Sequence, residues 1–166
     1  MVKILGIDPG SQITGFGVIA SEAGQTRVLT HGIIQLKKQT ESFNERLILL
    51  SENLQVLLGK YRPQIMAIEK VFLGKNPDSA FKLGHARGVC ILKALEFNCQ
   101  VFEYSTREVK KGITGSGGAD KVQVNEVLKH LLGLREINYL DASDALALAF
   151  HHSTRVEINK KWQEMV

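Results

Sequence analysis

Residues Leu5-Gly-Ile-Asp-Pro-Gly-Ser-Gln-Ile-Thr-Gly-Phe-Gly-Val-Ile19 decide how the rest of the chain reads. The run Val2 to Ile7 is apolar and rich in β-branched residues, as in a buried strand. It ends on an acid, Asp8, and stops at Pro9-Gly10, where proline fixes φ and glycine admits a positive φ. A second run, Thr14 to Ala20, follows at once, so the two pair as an antiparallel hairpin with Asp8 at the lip of a sheet. For an isolated Asp-Pro-Gly the simplest role of the acid is to bond its own turn backbone. The positions of the other acids decide whether it has another.

Working outward, Glu22 to Gln25 predicts a turn and Thr26 to Lys37 a third strand broken at Gly32, completing a meander. Ser42-Phe-Asn-Glu45 is a capping-box pattern, and the stripe Phe43, Leu47, Leu50, Leu54, Leu57 and Leu58 predicts a helix that Arg62-Pro63 ends. Gln64 to Glu69 is almost wholly apolar, like a central strand covered on both faces. Residues 70–78 read as a loop, and a helix follows from about Ser79 to Glu96. Val101 to Tyr104 is a fifth strand, and Ser105-Thr-Arg-Glu108 opens a short basic helix with Arg107, Lys110 and Lys111. After the flexible loop Gly115 to Gly118 come helices over Asp120 to Leu132 and Asp141 to His152, then a charged tail over 155–166. His151 and His152 would then lie at a helix C-terminus, where a cation is tolerated.

The order β-β-β-α-β-α-β-α predicts an α/β fold: a five-stranded mixed sheet flanked by helices on both faces. A helix-containing crossover lets the first and fourth strands lie parallel and adjacent. Asp8 and Glu69 each end one of them, so two carboxylates meet at one lip. At 166 residues the chain fits one domain, and 44% hydrophobic with 23% charged residues is a globular balance. The net charge of +4 permits a polyanionic partner, with the positive excess in the first two thirds of the chain. No apolar run approaches the ~20 residues of a membrane span, the start lacks a secretory signal, and Cys90 and Cys99 read as thiols buried in a reducing cytoplasm.

Asp141-Ala-Ser-Asp144 supplies two more acids on one helix face. Taken alone they suit an N-cap and a first helical turn. Four acids brought to one place repel, raise each other's pKa and call for cations. With no His or Cys cluster, hard Mg²⁺ or Mn²⁺ suits oxygen ligands. Two such ions roughly 4 Å apart can activate water and stabilise the leaving oxygen of a phosphodiester. The glycines of Gly15-Phe-Gly17-Val-Ile-Ala20 mimic a dinucleotide fingerprint, but they fall inside a predicted strand with no helix behind it. Gly112 to Lys121 is glycine-rich like a phosphate loop, yet it lacks Gly-Lys-Ser/Thr and follows no strand.

An ordered set of segments resembles the RuvC-type Holliday junction resolvases, nucleases of the RNase H-like fold. It comprises Leu-Gly-Ile-Asp8-Pro-Gly-Ser, Ala-Ile-Glu69-Lys-Val-Phe72, Lys-Asn-Pro-Asp-Ser-Ala with Lys-Leu-Gly-His-Ala-Arg-Gly-Val, Val-Phe-Glu-Tyr104, Ala-Asp-Lys121-Val-Gln-Val and Asp141-Ala-Ser-Asp144-Ala-Leu-Ala. The likeness covers nearly all of 1–154, taken as the nuclease domain. It implies that Asp8, Glu69, Asp141 and Asp144 form a catalytic tetrad holding two Mg²⁺, with Mn²⁺ substituting. It implies that Phe72 stacks on or wedges against bases, and that Lys110 and Lys121 contact phosphate, Lys121 also easing charge at the scissile group. Lys82 and Arg87 are further candidates for the DNA backbone. The resemblance further implies a cytoplasmic homodimer acting in homologous recombination and DNA repair. It would nick four-way junctions in symmetric pairs to leave 5′-phosphate and 3′-hydroxyl ends, alongside a branch-migration motor of the RuvAB type. Two other readings stand beside it. An actin-like ATP phosphotransferase opens with a similar hairpin but needs two such domains; a junction-binding protein without cleavage would not need all four acids.

Overall fold

The computed structural model describes residues 1–70 and 76–164, with side chains as far as residue 156. Val2–Asp8 (β1) and Ile13–Glu22 (β2) pair antiparallel, with Asp8 opposite Gly15. Thr14 closes the turn between them: its buried hydroxyl donates to the Gly10 carbonyl at 3.1 Å and accepts the Gly10 N–H at 3.3 Å. Among the described residues no hydrogen bond reaches the Asp8 carboxylate, so the turn does not use it. Gln25–Gln35 (β3) completes the meander. It is not broken at Gly32, which pairs with Phe16; the register instead shifts between Val18 and Ile19, leaving Leu29 as the extra residue of a bulge.

Phe43–Tyr61 (α1) starts at the Ser42 cap and ends where Arg62 turns left-handed, at φ 46°. Ile65–Glu69 (β4) then returns parallel to β1, and Gln100–Tyr104 (β5) lies parallel to β4. Strand order is therefore β3-β2-β1-β4-β5, as the crossover argument requires. The β1–β4 register is pinned at its start, where Lys3 N–H donates to Gln64 Oε1 at 2.7 Å and Gln64 N–H to the Lys3 carbonyl at 3.0 Å.

Pro77–Glu96 (α2) begins two residues earlier than the sequence suggested, because the Asn76 side chain caps it. Thr106–Thr114 (α3) carries a complete capping box between Ser105 and Glu108, and Lys121–Leu132 (α4) another between Asp120 and Gln123. Leu140–Glu164 (α5) continues well past His152, so the expected tail is helical backbone to Glu164. His151 and His152 are consequently buried in mid-helix rather than at an exposed end. His152 Nδ1 lies 2.6 Å from the Tyr104 hydroxyl. Burial first, then His151 and Arg155, push the His152 pKa down to about 4, and burial lowers His151 too. Both rings are neutral core residues at physiological pH.

The two faces of the sheet bury different things. Leu5, Ile7, Met66 and Ile68 face Leu50, Leu54 and Leu58 of α1 and Ala86, Cys90 and Ala94 of α2. Ile4 and Ala67 face the other way, toward α3, α4 and α5. This period-2 alternation is why β1 and β4 read as continuous apolar runs. Where α5 lies closest, β1 and β2 offer glycine instead of side chains. A β-carbon at Gly6 would lie 1.8 Å from the Ala145 carbonyl oxygen and 3.1 Å from the Ala149 methyl. Small residues on both partners let helix and strand meet at backbone distance.

Gly6→Ala is therefore expected to destabilise the protein by about 1–3 kcal/mol, since backbone rather than a flexible side chain must give way. Urea unfolding would measure it, and an unchanged midpoint with an unchanged slope would mean that α5 can lift freely from the sheet.

Candidate active site

Parallel strands finish at a common edge, and the register Ile7 opposite Ile68 leaves Asp8 and Glu69 as neighbouring last residues. The third contribution comes from α5. A β-carbon at Gly15, the partner of Asp8 across β1 and β2, would sit 2.0 Å from the Asp141 carbonyl oxygen. The first turn of α5 thus rests directly on the strand beside Asp8. Asp141 is the second helical residue rather than the cap, and Asp144 follows one turn on along the same face.

A cavity of about 230 Å³ opens at this edge, lined by Asp8, Glu69, Thr106, Lys110, Lys121 and Asp144 over an apolar base of Val109, Val124, Ala147 and Leu148. Asp141 does not line the cavity, but its charge acts on Asp8. Burial raises the pKa of Asp8 to about 8, and the carboxylates of Asp144, Glu69 and Asp141 push in the same direction, with Lys121 alone opposing. All four acids therefore act on one point. Lys121 Nζ bonds Asp144 Oδ2 at 2.7 Å, and that bond, together with the charges of Asp8 and Asp141, holds the ammonium above its usual range. The Thr106 hydroxyl donates to Glu69 Oε1.

In this side-chain arrangement no three His, Cys, Asp or Glu groups among the described residues form a ready-made cation cage. Two of the carboxylates are instead engaged by Thr106 and Lys121. The donor set nevertheless fits a hard divalent cation: it is all oxygen, and the acids around Asp8 add to the effect of burial in raising its pKa. Thr106→Glu69 and Lys121→Asp144 are the contacts that an incoming cation would compete with or exploit.

The remaining candidates divide. Lys110 and Lys121 line the cavity, and Lys110 lies on the basic face of α3. Lys82 is on α2, ion-paired with Asp78 at 2.7 Å, and does not line the cavity. Arg87 has its guanidinium turned inward, with Nε donating to the Glu69 carbonyl at 3.1 Å and a terminal nitrogen 2.7 Å from Glu103, so it clamps the ends of two strands. Phe72 lies outside the described residues. Thr106 and Gly15 went unrecognised in the sequence. The first sits within a capping pattern that explained it already, and the second within a glycine pair whose only known signature did not apply.

The sequence profile of the family described as crossover junction endodeoxyribonuclease RuvC matches residues 4–152. The chain is 49% identical to crossover junction endodeoxyribonuclease RuvC of Bdellovibrio bacteriovorus over 158 residues, 95% of this chain and 92% of that one. Its fold is similar to the Thermus thermophilus RuvC structure, with TM-score 0.84 at 30% identity over 95% and 97% of the two chains. The same TM-score, at 28% identity over 95% and 96%, relates it to T. thermophilus RuvC in complex with Holliday junction substrate. These likenesses bear out the α/β, RNase H-like architecture.

The raised Asp8 carboxyl has a direct consequence for stability. Its ordinary pKa in an unfolded chain is about 4. Between pH ~4 and ~8 the metal-free fold therefore holds a proton that the unfolded chain releases, and its stability falls as pH rises through that window. Asp8→Asn removes the titration. The metal-free variant should melt higher than wild type at pH 8, by about 2–4 °C for each kcal/mol recovered, and the gap should close toward pH 4. Thermal melts across that range check this; a gap independent of pH would place the stress elsewhere.

Proposed function

The chain belongs to the RuvC family and is a crossover junction endodeoxyribonuclease, and from that premise we propose how its own residues carry the reaction. It resolves four-way DNA junctions by paired, symmetric nicking. The observation that carries this reading is the convergence of Asp8, Glu69, Asp141 and Asp144 on one lip, felt as the upward shift of Asp8. These four hold two Mg²⁺ ions, with Mn²⁺ able to replace them. When bound, such ions supply Lewis acidity that lowers the pKa of water and neutralises charge on a departing 3′-oxygen, consistent with 5′-phosphate and 3′-hydroxyl products.

The protein's part is electrostatic and positional. Asp144 holds the Lys121 ammonium inside the cavity, and from there it can face a phosphate. Lys110 enters from α3 on the opposite wall. Phe72 follows closely on Glu69 in sequence, and we assign it base stacking at the crossover, a contact worth ~1–3 kcal/mol. Lys82, with Lys110 and Arg107, adds sequence-independent phosphate attraction, so affinity falls steeply with salt.

A junction with two equivalent strands calls for two equivalent sites, and we propose a homodimer. An apolar groove on the α1–α2 side supports this: Phe81, 70% exposed, stands with Leu92, Leu47, Gly84 and Gly88, and among the described residues no atom outside their own stretch of α2 lies within 4 Å of where a β-carbon on either glycine would be. The dimer acts in the cytoplasm on junctions delivered by a RuvAB-type branch-migration motor, in recombination and repair. The buried free thiols of Cys90 and Cys99 suit that compartment.

Two measurements test the proposal. A synthetic mobile four-way junction incubated with Mg²⁺ should give symmetric nicks on a denaturing gel. Asp8→Asn should lower the cleavage rate about a thousandfold or more while junction affinity persists. Binding by wild type without nicks in either Mg²⁺ or Mn²⁺ would favour a junction-binding protein instead. Sedimentation should show a dimer that Phe81→Glu converts to monomer with its melting temperature kept, whereas a dimeric Phe81→Glu variant would move the interface elsewhere.

A further inference from the structure

Glu69 is held from both sides, and the two restraints come from different elements. Its main chain is fixed by Arg87, whose Nε donates to the Glu69 carbonyl at 3.1 Å while its terminal nitrogen pairs with Glu103 of β5 at 2.7 Å. The next peptide is fixed too, because Lys70 N–H donates to the Tyr104 carbonyl at 2.8 Å. That leaves the side-chain torsions of Glu69, whose freedom must be lost when the carboxylate is held. The Thr106 hydroxyl engages Oε1, and among the described residues Oε2 has no protein partner.

Thr106 is well placed for this. It is the first residue of α3, and the turn that aims it is locked by Ser105 N–H donating to Glu108 at 2.8 Å and Glu108 N–H donating to Ser105 Oγ at 3.2 Å. Its β-branched side chain has few χ1 options. A hydroxyl donating to a carboxylate makes one of the stronger hydrogen bonds. Thr106 and Lys110 stand four residues apart on α3, so they share a helix face, and both line the cavity with Glu69.

We infer that Thr106 is a positioning residue: it fixes the Glu69 carboxylate for cation binding and joins that ligand to the helix that carries Lys110. The inference rests on the metal-binding reading of the four acids. A serine provides the same donor; a valine has the same shape and none. Groups that orient a metal ligand in this way typically change cation affinity or activity by tenfold or more when removed.

The test uses the DNA-free protein and Mn²⁺, following free Mn²⁺ by electron paramagnetic resonance. Thr106→Val should weaken Mn²⁺ binding by about tenfold, and Thr106→Ser should stay within about twofold of wild type. Junction affinity in the absence of metal and the melting temperature should hold in both, because the capping box does not use the Thr106 side chain. Glu69→Gln is the benchmark. If wild type binds Mn²⁺, Glu69→Gln loses it and Thr106→Val matches wild type, the positioning role is overturned while the metal site stands. A Thr106→Ser variant as weak as Thr106→Val also overturns it. If wild type binds no Mn²⁺, the metal reading falls and this inference with it.

Discussion

The backbone-to-backbone seat of α5 on β1 and β2 is the constraint on which the rest depends. A helix normally stands off from a sheet because side chains fill the gap. Here Gly6 and Gly15 face Ala145 and the first turn of α5, so the helix sinks until its own carbonyls fill the space a β-carbon would take. Dispersion across such a contact is large because atoms on both sides are close-packed. The gain that matters here is positional. Two acids that lie far along the chain from Asp8 are delivered to its side by backbone contact, with no flexible side chain between.

The electrostatic cost follows from the same geometry. Burial first, and then the neighbouring carboxylates, raise Asp8 into the neutral range, and the fold sets one cation, Lys121, on Asp144 and one hydroxyl, Thr106, on Glu69. The Asp8 carboxylate is left with no hydrogen bond among the described residues. Its turn is closed by Thr14 and its strand by sheet pairing, so it can carry the repulsion without endangering the hairpin. A site arranged like this is stable only because its supporting contacts lie elsewhere.

Much of this was legible in the sequence. Each strand that ends on Asp8 or Glu69 is a short apolar run stopped by an acid, and one crossover helix is enough to make them parallel neighbours. The pairing of Asp141 with Asp144 follows from helical spacing alone. What escaped were facts that depend on three-dimensional neighbours. Arg87 reads as a surface cation in a helix, and only the position of α2 over the β4 and β5 ends turns it inward. Gly32 reads as a strand breaker, yet the irregularity of the β2–β3 ribbon falls at Leu29, a residue whose type gives no sign of it. His151 and His152 suggested a helix end, because the charged residues after Arg155 resemble a tail; the helix continues through them to Glu164.

The order in which the chain is made gives the seat of α5 one more meaning. Synthesis proceeds from the N-terminus at about 5–20 residues per second, and the sheet edge bearing Asp8 and Glu69 emerges well before the helix bearing Asp141 and Asp144. Until that helix emerges, the nascent chain has two of its four carboxylates and an open trough along Gly6 and Gly15. The four acids are thus brought together by the same late docking step that completes the core. A fragment that ends before α5 therefore has neither the full set of four acids nor a covered sheet face.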